Sequence, residues 1–469
     1  MRRRVIRHLL GEWTDPAVAF SALYATADRA FWLDSGNAAL GGRSYIGQGD
    51  RVVTASAAGA GLRFDRPGPT FDGSIFEFLA AEQSGSLERI DPSAPTTGFQ
   101  LGWVGWFGYE LRSQTMYSPR PARPRRSHYP DAAWLEVTRA LEFDHSTQTV
   151  TLLALGEDWT GELGEWRNAV VLALAHAAAA AVPVAVAHRP VPSQARWLYS
   201  DDEYLGMIRE CQAAIASGDA YQLCLTSEAR VDARPDPLAT YLALRAESPT
   251  HHGALLRVGE FSLLSATPEQ FLSVSPEGVV ESKPIKGTRR RGSSAAEDDL
   301  LRLELEQSDK ERAENLMIVD LMRNDIARVS EVGSVTVPSL LAVESYAQVH
   351  QLVSTVRGKL AAGLRPVDAV VACFPAGSMT GAPKSSATAI LDRLERRPRG
   401  IYSGVFGYFG LDGRVDLAMV IRSIVIDGQG ATVGAGGGIT ALSVPDEELD
   451  EVKLKAAVLL RVLGATVAE

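Results

Sequence analysis

The sequence predicts an α+β fold, with large antiparallel β-sheets flanked by helices. Three observations carry that expectation. Between Gly253 and Ser282, short runs rich in β-branched and apolar residues alternate with turns such as Ser275-Pro276-Glu277-Gly278. Helical stretches with recognisable starts follow, among them Ser200 with Glu203 at capping-box spacing. Asp412-Gly413 between two apolar runs is a hairpin signal.

In chain order, residues 1–190 form a first region of mixed strand and helix. Residues 43–46 are strand-like, and in 101–110 glycines alternate with aromatics, which suggests close sheet packing. Residues 169–187 are mostly alanine, carry His176 and are interrupted by Pro183. A membrane span needs about 20 strongly apolar residues, so this is expected to be a packed helix followed by a strand. The prolines of His188-Arg189-Pro190-Val191-Pro192-Ser193 favour an extended linker, and residues 191–469 form the second domain.

That domain opens with a helix to about Ser217, placing Tyr204, Met207, Ile208, Cys211 and Ile215 on one face. Strands at 255–258, 261–265, 271–274 and 279–282 are expected to make an antiparallel meander. A long helix, with a possible bend, spans about 295–329, and another spans 385–395. Strands at 401–409 and 415–426 pair as a hairpin, a strand at 434–439 follows, and a helix closes at 446–463.

The chain has 469 residues, 46% hydrophobic and 22% charged, enough to bury a large core. Its net charge of -10 argues against a nucleic-acid binder, which needs a concentrated basic surface. Arg120, Arg123, Arg125 and Arg126 are broken by Pro121 and Pro124, as in a surface loop. Cys211, Cys224 and Cys373 are too few and scattered for a disulfide framework or zinc site, so a reducing, cytoplasmic setting is expected. The start, Met1-Arg2-Arg3-Arg4, is not followed by the apolar stretch of a secretion signal.

Two acidic pairs have helical spacing, Glu311 with Glu314 and Glu448 with Glu451. Each alone fits a solvated face. Brought together they would repel unless a hard divalent cation sat among them, and oxygen-only ligation points to Mg²⁺. The run from Gly377 through Thr380 to Lys384 has the glycines, hydroxyls and lysine of an anion-holding loop, without P-loop spacing. Gly434-Ala435-Gly436-Gly437-Gly438 would let backbone N–H groups approach a carboxylate, and Arg422 suits a second one. Lys286 lies in Lys283-Pro284-Ile285-Lys286-Gly287-Thr288, near Arg289, Arg290 and Arg291. An ordinary lysine, with pKa near 10.4, is almost wholly protonated at pH 7. Attack on carbon needs about 4 kcal/mol of help from desolvation and neighbouring cations.

In this order the motifs resemble the chorismate-utilising enzymes. The matching runs are Gly218-Asp219-Ala220-Tyr221-Gln222-Leu223, Thr267-Pro268-Glu269-Gln270-Phe271-Leu272 and Pro284-Ile285-Lys286-Gly287-Thr288. Asp309-Lys310-Glu311-Arg312-Ala313-Glu314-Asn315, Arg323-Asn324-Asp325, residues 377–384, Arg399-Gly400-Ile401-Tyr402-Ser403-Gly404, Ile421-Arg422-Ser423 and residues 448–455 continue the series. Phe31-Trp32-Leu33-Asp34-Ser35 and residues 102–111 are weaker matches to the family's amino-terminal region.

The resemblance implies an αββα sandwich like that of anthranilate synthase component I. It implies that Glu314 and Glu451 bind Mg²⁺, with Glu311 and Glu448 in support, and that the metal holds the ring carboxylate of chorismate. Arg422, Tyr402, Gly436 and Gly438 would hold the enolpyruvyl side, with His350, Thr380, Gln222 and Lys455 also contacting substrate.

Two positions divide the family's branches. Relatives that add water carry a lysine at the Gln222 position, and glutamine cannot act as the base, so ammonia is the implied nucleophile. Anthranilate synthases usually read Pro-Ile-Ala-Gly-Thr, and here the alanine is replaced by Lys286. The resemblance then implies that Lys286 attacks C2 of chorismate and expels the C4 hydroxyl, after which ammonia adds at C4. Glu269 would donate and accept the proton, giving 4-amino-4-deoxychorismate, the precursor of 4-aminobenzoate.

Amination at C2, giving anthranilate or aminodeoxyisochorismate, stays open, as does a non-catalytic homologue that binds chorismate without turnover. None of the three cysteines has a glutaminase-like context, so a separate glutamine amidotransferase subunit is expected to supply ammonia. No fused lyase is expected either. Cys224, Gln270 and Ser423 depart from residues common in the family, and whether Asp34-Ser35 marks a tryptophan site is left open.

Overall fold

The computed structural model describes residues 4–36, 41–59, 61–66, 70–84, 98–116, 125–179, 190–346 and 349–467. Among these residues two largely antiparallel sheets, one of thirteen strands and one of eleven, stack face to face. Alternation along one strand shows why. In Gly102–Phe107, Val104 and Trp106 join the core between the sheets, whereas Trp103 and Phe107 face the helices outside the smaller sheet. Gly105 is required there, because a Cβ would lie 2.0 Å from the Ala133 carbonyl oxygen. A third core packs helices such as Asp201–Ala216 and Pro445–Val462 on the larger sheet. The layers are therefore helix, sheet, sheet, helix.

Both sheets draw strands from either side of residue 190. Ala30–Asp34 pairs with His252–Val258 in the larger sheet, and Gly102–Phe107 pairs with Val405–Gly410 in the smaller one. Of the expected linker, His188 and Arg189 lie outside the described residues, and Ser193–Trp197 is a strand between Gln222–Val231 and Ala465–Val467. Gly161–Ala179 is a helix that buries little beyond Val170 and Leu174, since alanine offers little apolar area. Residues 180–187, Arg120 and Arg123 also fall outside the described residues.

Ser200 and Glu203 form the predicted capping box. The long helix of 295–329 is instead two helices, Ala295–Gln307 and Asp309–Ala327. Ser308, with ψ 107°, ends the first and caps the second by accepting from the Glu311 N–H.

The predicted meander and hairpin both divide between sheets. Phe261–Thr267 pairs with Ser423–Asp427 in the larger sheet, and Gln270–Val274 pairs with Val415–Met419 in the smaller one. The chain thus changes sheets at Thr267-Pro268-Glu269 and returns at Val420-Ile421-Arg422. Pro268 has no N–H to extend a ladder, and Arg422 adopts φ +50°, which turns the chain out of the strand. The two crossings stay tied to each other. Ala266 N donates to Arg422 O at 3.1 Å, and Met419 N donates to Glu269 O at 3.0 Å. Among the described residues no helix is long and apolar enough to cross a membrane.

Candidate active site

A cavity of about 400 Å³ opens where the crossings meet, and Pro268, Glu269, Ile421 and Arg422 form part of its wall. The strand Gly430–Ile439 contributes Gly434 to Gly438, and the helices Asp309–Ala327 and Pro445–Val462 face it from outside.

Lys286 reaches this cavity because its strand is irregular. Ile285–Arg290 pairs with Val349–Lys359, but the register shifts between Ile285 and Thr288, so a β-bulge interrupts the ladder. Gly287 takes φ +83°, and a Cβ there would lie 2.9 Å from Glu311 Oε2, so only glycine suits the position. The bulge presents Lys286, half-buried, as a lining residue. Its charge bears on Glu269, Glu314 and Glu451, pulling each carboxyl downward.

Glu269 is held at the first crossing. Burial pushes its carboxyl above the usual range, with Lys286 and the Ser378 hydroxyl acting in the opposite direction. A proton is thereby easier to keep beside the lysine than it would be in water.

Helical spacing brings all four predicted acids to the cavity. Burial raises Glu314, and the neighbouring Glu311 and Glu448 add to the rise while Lys286 and Lys310 oppose it. Burial likewise raises Glu448, against a hydrogen bond from Ser443 Oγ at 2.7 Å. At Glu451 burial is outweighed by Lys455, whose Nζ lies 2.6 Å from Oε1, and the carboxyl is held below its usual range. Carboxylates that raise one another's pKa are an oxygen donor set suited to a hard divalent cation. Among the described residues, however, no three His, Cys, Asp or Glu side chains are already grouped to hold a metal ion.

The opposite wall suits an anionic substrate. Arg422 is largely buried, which lowers its guanidinium pKa, while Tyr402 and Glu451 oppose the shift. Tyr402 packs its ring on Gly434, where a Cβ would lie 2.2 Å from Cγ. Lys455 also donates to Gly436 O at 2.9 Å.

Three predicted contacts do not line the cavity. Gln222 is buried behind Gly438, where a Cβ would lie 2.1 Å from Gln222 Nε2. His350 is turned away, with Nε2 3.0 Å from Asp298 Oδ1 and Nδ1 2.8 Å from Ser345 Oγ. Strand alternation gives the cavity Gln351 instead. Thr380 is buried and donates to Ala376 O at 3.0 Å. Nor is Lys384 an anion holder, since its Nζ lies 2.6 Å from Asp325 Oδ2 and 3.0 Å from Cys373 O. Ser378, Lys310, Gln351 and Cys224 line the site without having been singled out as contacts. Lys310 stands next to Glu311, inside the matching run 309–315.

The profile of the chorismate binding enzymes matches residues 29–461. The chain belongs to that family. This chorismate-binding enzyme is 43% identical over 475 residues to aminodeoxychorismate synthase of Streptomyces griseus, covering 98% of the chain and 64% of that relative. It is 34% identical over 488 residues to anthranilate synthase component 1 of Mycolicibacterium smegmatis, covering 99% of the chain and 92% of the relative. The chain therefore spans less than two thirds of the first relative and nearly all of the second. The crystal structure of anthranilate synthase component I from Streptococcus pneumoniae superposes with a TM-score of 0.74 at 25% identity, covering 97% of this chain and 99% of that one. The expected αββα sandwich is the fold of this chorismate-binding enzyme.

Proposed function

We propose that this chorismate-binding enzyme acts as component I of an aminodeoxychorismate synthase, converting chorismate and ammonia to 4-amino-4-deoxychorismate. The observation that carries the reading is Lys286, presented on a glycine-dependent bulge into the same cavity as Glu269. Every residue lining that cavity falls within 191–469, which supports assigning catalysis to that part of the chain and leaving 1–190 as the amino-terminal region.

In the proposed reaction, the unprotonated Lys286 amine forms a bond to C2 of chorismate. The ring double bonds shift and the C4–O bond breaks, while the hydroxyl takes a proton from Glu269 and leaves as water. Ammonia then bonds to C4, the double bonds shift back, and the lysine nitrogen departs from C2 with its electron pair as a neutral amine. Glu269, now a carboxylate, takes a proton from the new C4 ammonium and is ready for another cycle. The raised carboxyl of Glu269 supports its starting as the acid.

Arg422, Tyr402 and the backbone of Gly436 and Gly438 are proposed to orient the enolpyruvyl carboxylate, with Lys455 bracing that wall. Glu314 and Glu451, supported by Glu311 and Glu448, would hold Mg²⁺, which when bound neutralises the ring carboxylate of chorismate. A separate glutamine amidotransferase would supply ammonia, and the cytoplasm is the proposed location. The product would pass to 4-aminobenzoate, and from there to folate.

The match across 92% of an anthranilate synthase component 1 favours one competing reading, amination at C2. Purified chain incubated with chorismate, Mg²⁺ and ammonium separates the two. The expected product keeps its enolpyruvyl group and carries one nitrogen at C4. Fluorescent anthranilate as the main product would refute the assignment, and no turnover would favour a binding role.

A further inference from the structure

Asn315 has a place in the fold that its neighbours Glu311 and Glu314 overshadow. It lies one residue beyond Glu314 and is wholly buried. Its Nδ2 donates to Leu352 O at 3.2 Å and to Pro284 O at 3.4 Å, while its Oδ1 accepts from Ser354 Oγ at 2.5 Å. The Ser354 N–H donates to the same Pro284 carbonyl at 3.2 Å, and the Ser354 hydroxyl accepts from Leu341 N at 2.9 Å. Ser354 is equally buried. The knot is satisfied at both ends, as a buried polar network must be if it is to fix one arrangement.

Pro284 stands two residues before Lys286, at the mouth of the bulge. The ladder pairs Ile285 with Val353 and resumes at Thr288 with Gln351, so Lys286 and Gly287 together oppose the single residue Leu352. The regular register of the ladder is broken at the lysine. The Pro284 carbonyl, two residues ahead of the lysine, is gripped by the Asn315 amide and by the Ser354 N–H. Asn315 belongs to the helix Asp309–Ala327 that carries Glu311 and Glu314 to the cavity.

We propose that Asn315 is a positioning residue, which locks the Lys286 bulge to the carboxylate-bearing helix so that amine and carboxylates keep one geometry. It touches no substrate. Its effect should appear in the chemical step rather than in chorismate binding, because a misplacement of about 1 Å costs about 10²-fold in rate.

The test compares the purified chain with Asn315→Leu, which keeps the branched shape and removes the amide's donors and acceptor, and with the milder Ser354→Ala, which keeps both bonds to the Pro284 carbonyl. Urea unfolding first establishes that each is folded. Chorismate, Mg²⁺ and ammonium are then supplied, and kcat, KM and the ratio of C4- to C2-aminated product are measured. For Asn315→Leu, kcat should fall about 100-fold with KM for chorismate nearly unchanged, and the C2 share of product should rise. Ser354→Ala, which loses the hydroxyl's bonds to Asn315 and Leu341, should shift kcat in the same direction by about fivefold. If Asn315→Leu does not fold, Ser354→Ala decides the matter alone. A folded variant with unaltered kcat and product ratio, or with kcat and KM changed together, would overturn the proposal. The ratio rests on the C4 reading. Should the unaltered chain make only anthranilate, that reading fails by itself, and Asn315 is judged on the kcat-to-KM split for anthranilate.

Discussion

Two lysines sit in glycine-containing motifs of this chain, and the fold treats them oppositely. Lys384 opens the helix Lys384–Glu395 and is pinned between Asp325 and the Cys373 carbonyl, its side chain 13% exposed. Lys286 sits on a bulge, lines the cavity and acts on three carboxylates through its charge. One is a strut that ties the turn bearing Ser378 to the helix bearing Glu314; the other is placed for chemistry. Residue type and nearby glycines do not separate these fates. What separates them is whether a carboxylate stands within direct hydrogen-bonding reach and closes the lysine off.

The strongest way to break this contrast is Lys286→Ala. C4 amination should fall by about 10³-fold or more, because its covalent route is removed and not merely slowed. Mass analysis of the products should find C2 amination in its place; undiminished C4 product would end the distinction between the lysines. Glu269→Gln comes next, with kcat for C4 amination down about 10²-fold and KM for chorismate little changed. A pure KM effect would make Glu269 a binding group.

Lys384→Met tests the other half. Removing one partner of a buried pair costs about 3–5 kcal/mol. The urea midpoint should therefore drop while whatever product remains is still aminated at C4. A change of product with unaltered stability would mean that Lys384 takes part in the chemistry.

The smallest effect concerns a buried acid away from both lysines. Glu110 accepts from Arg399 N at 2.8 Å and Gly400 N at 2.9 Å, yet burial pushes its carboxyl up to about 7 from 4.5. Its folded form binds a proton more tightly than its unfolded form. The stability it contributes is therefore present below about pH 4.5 and lost as pH rises toward 7. Unfolding free energies measured across that window should slope downward, and Glu110→Gln should flatten the slope.

These contrasts also show what the sequence could and could not disclose. The capping box at Ser200, the helical spacing of Glu311 with Glu314, and the glycine strand at 434–438 depend on neighbours a few residues apart, and all three were legible. The sheet crossings at 267–269 and 420–422 were not. Alternation tells which face a side chain takes, but not which of two stacked sheets a strand joins. The same limit moved His350 off the site and put Gln351 on it, a shift of one residue on a strand. Lys384 looked like an anion holder because Asp325 lies 59 residues earlier, beyond any local pattern. The break at Ser308 was readable, since Ser308 and Glu311 have capping spacing, but no glycine or proline in 306–312 marks the stop.

The most direct test of the account omits ammonia. With chorismate and Mg²⁺ alone, the covalent route stops after its first half, and peptide mass mapping should find Lys286 heavier by chorismate less one water. The account predicts that this adduct disappears when ammonium is added, as the C4 amine forms. An unmodified Lys286, in a chain that then makes the C4 amine at full rate, would contradict it.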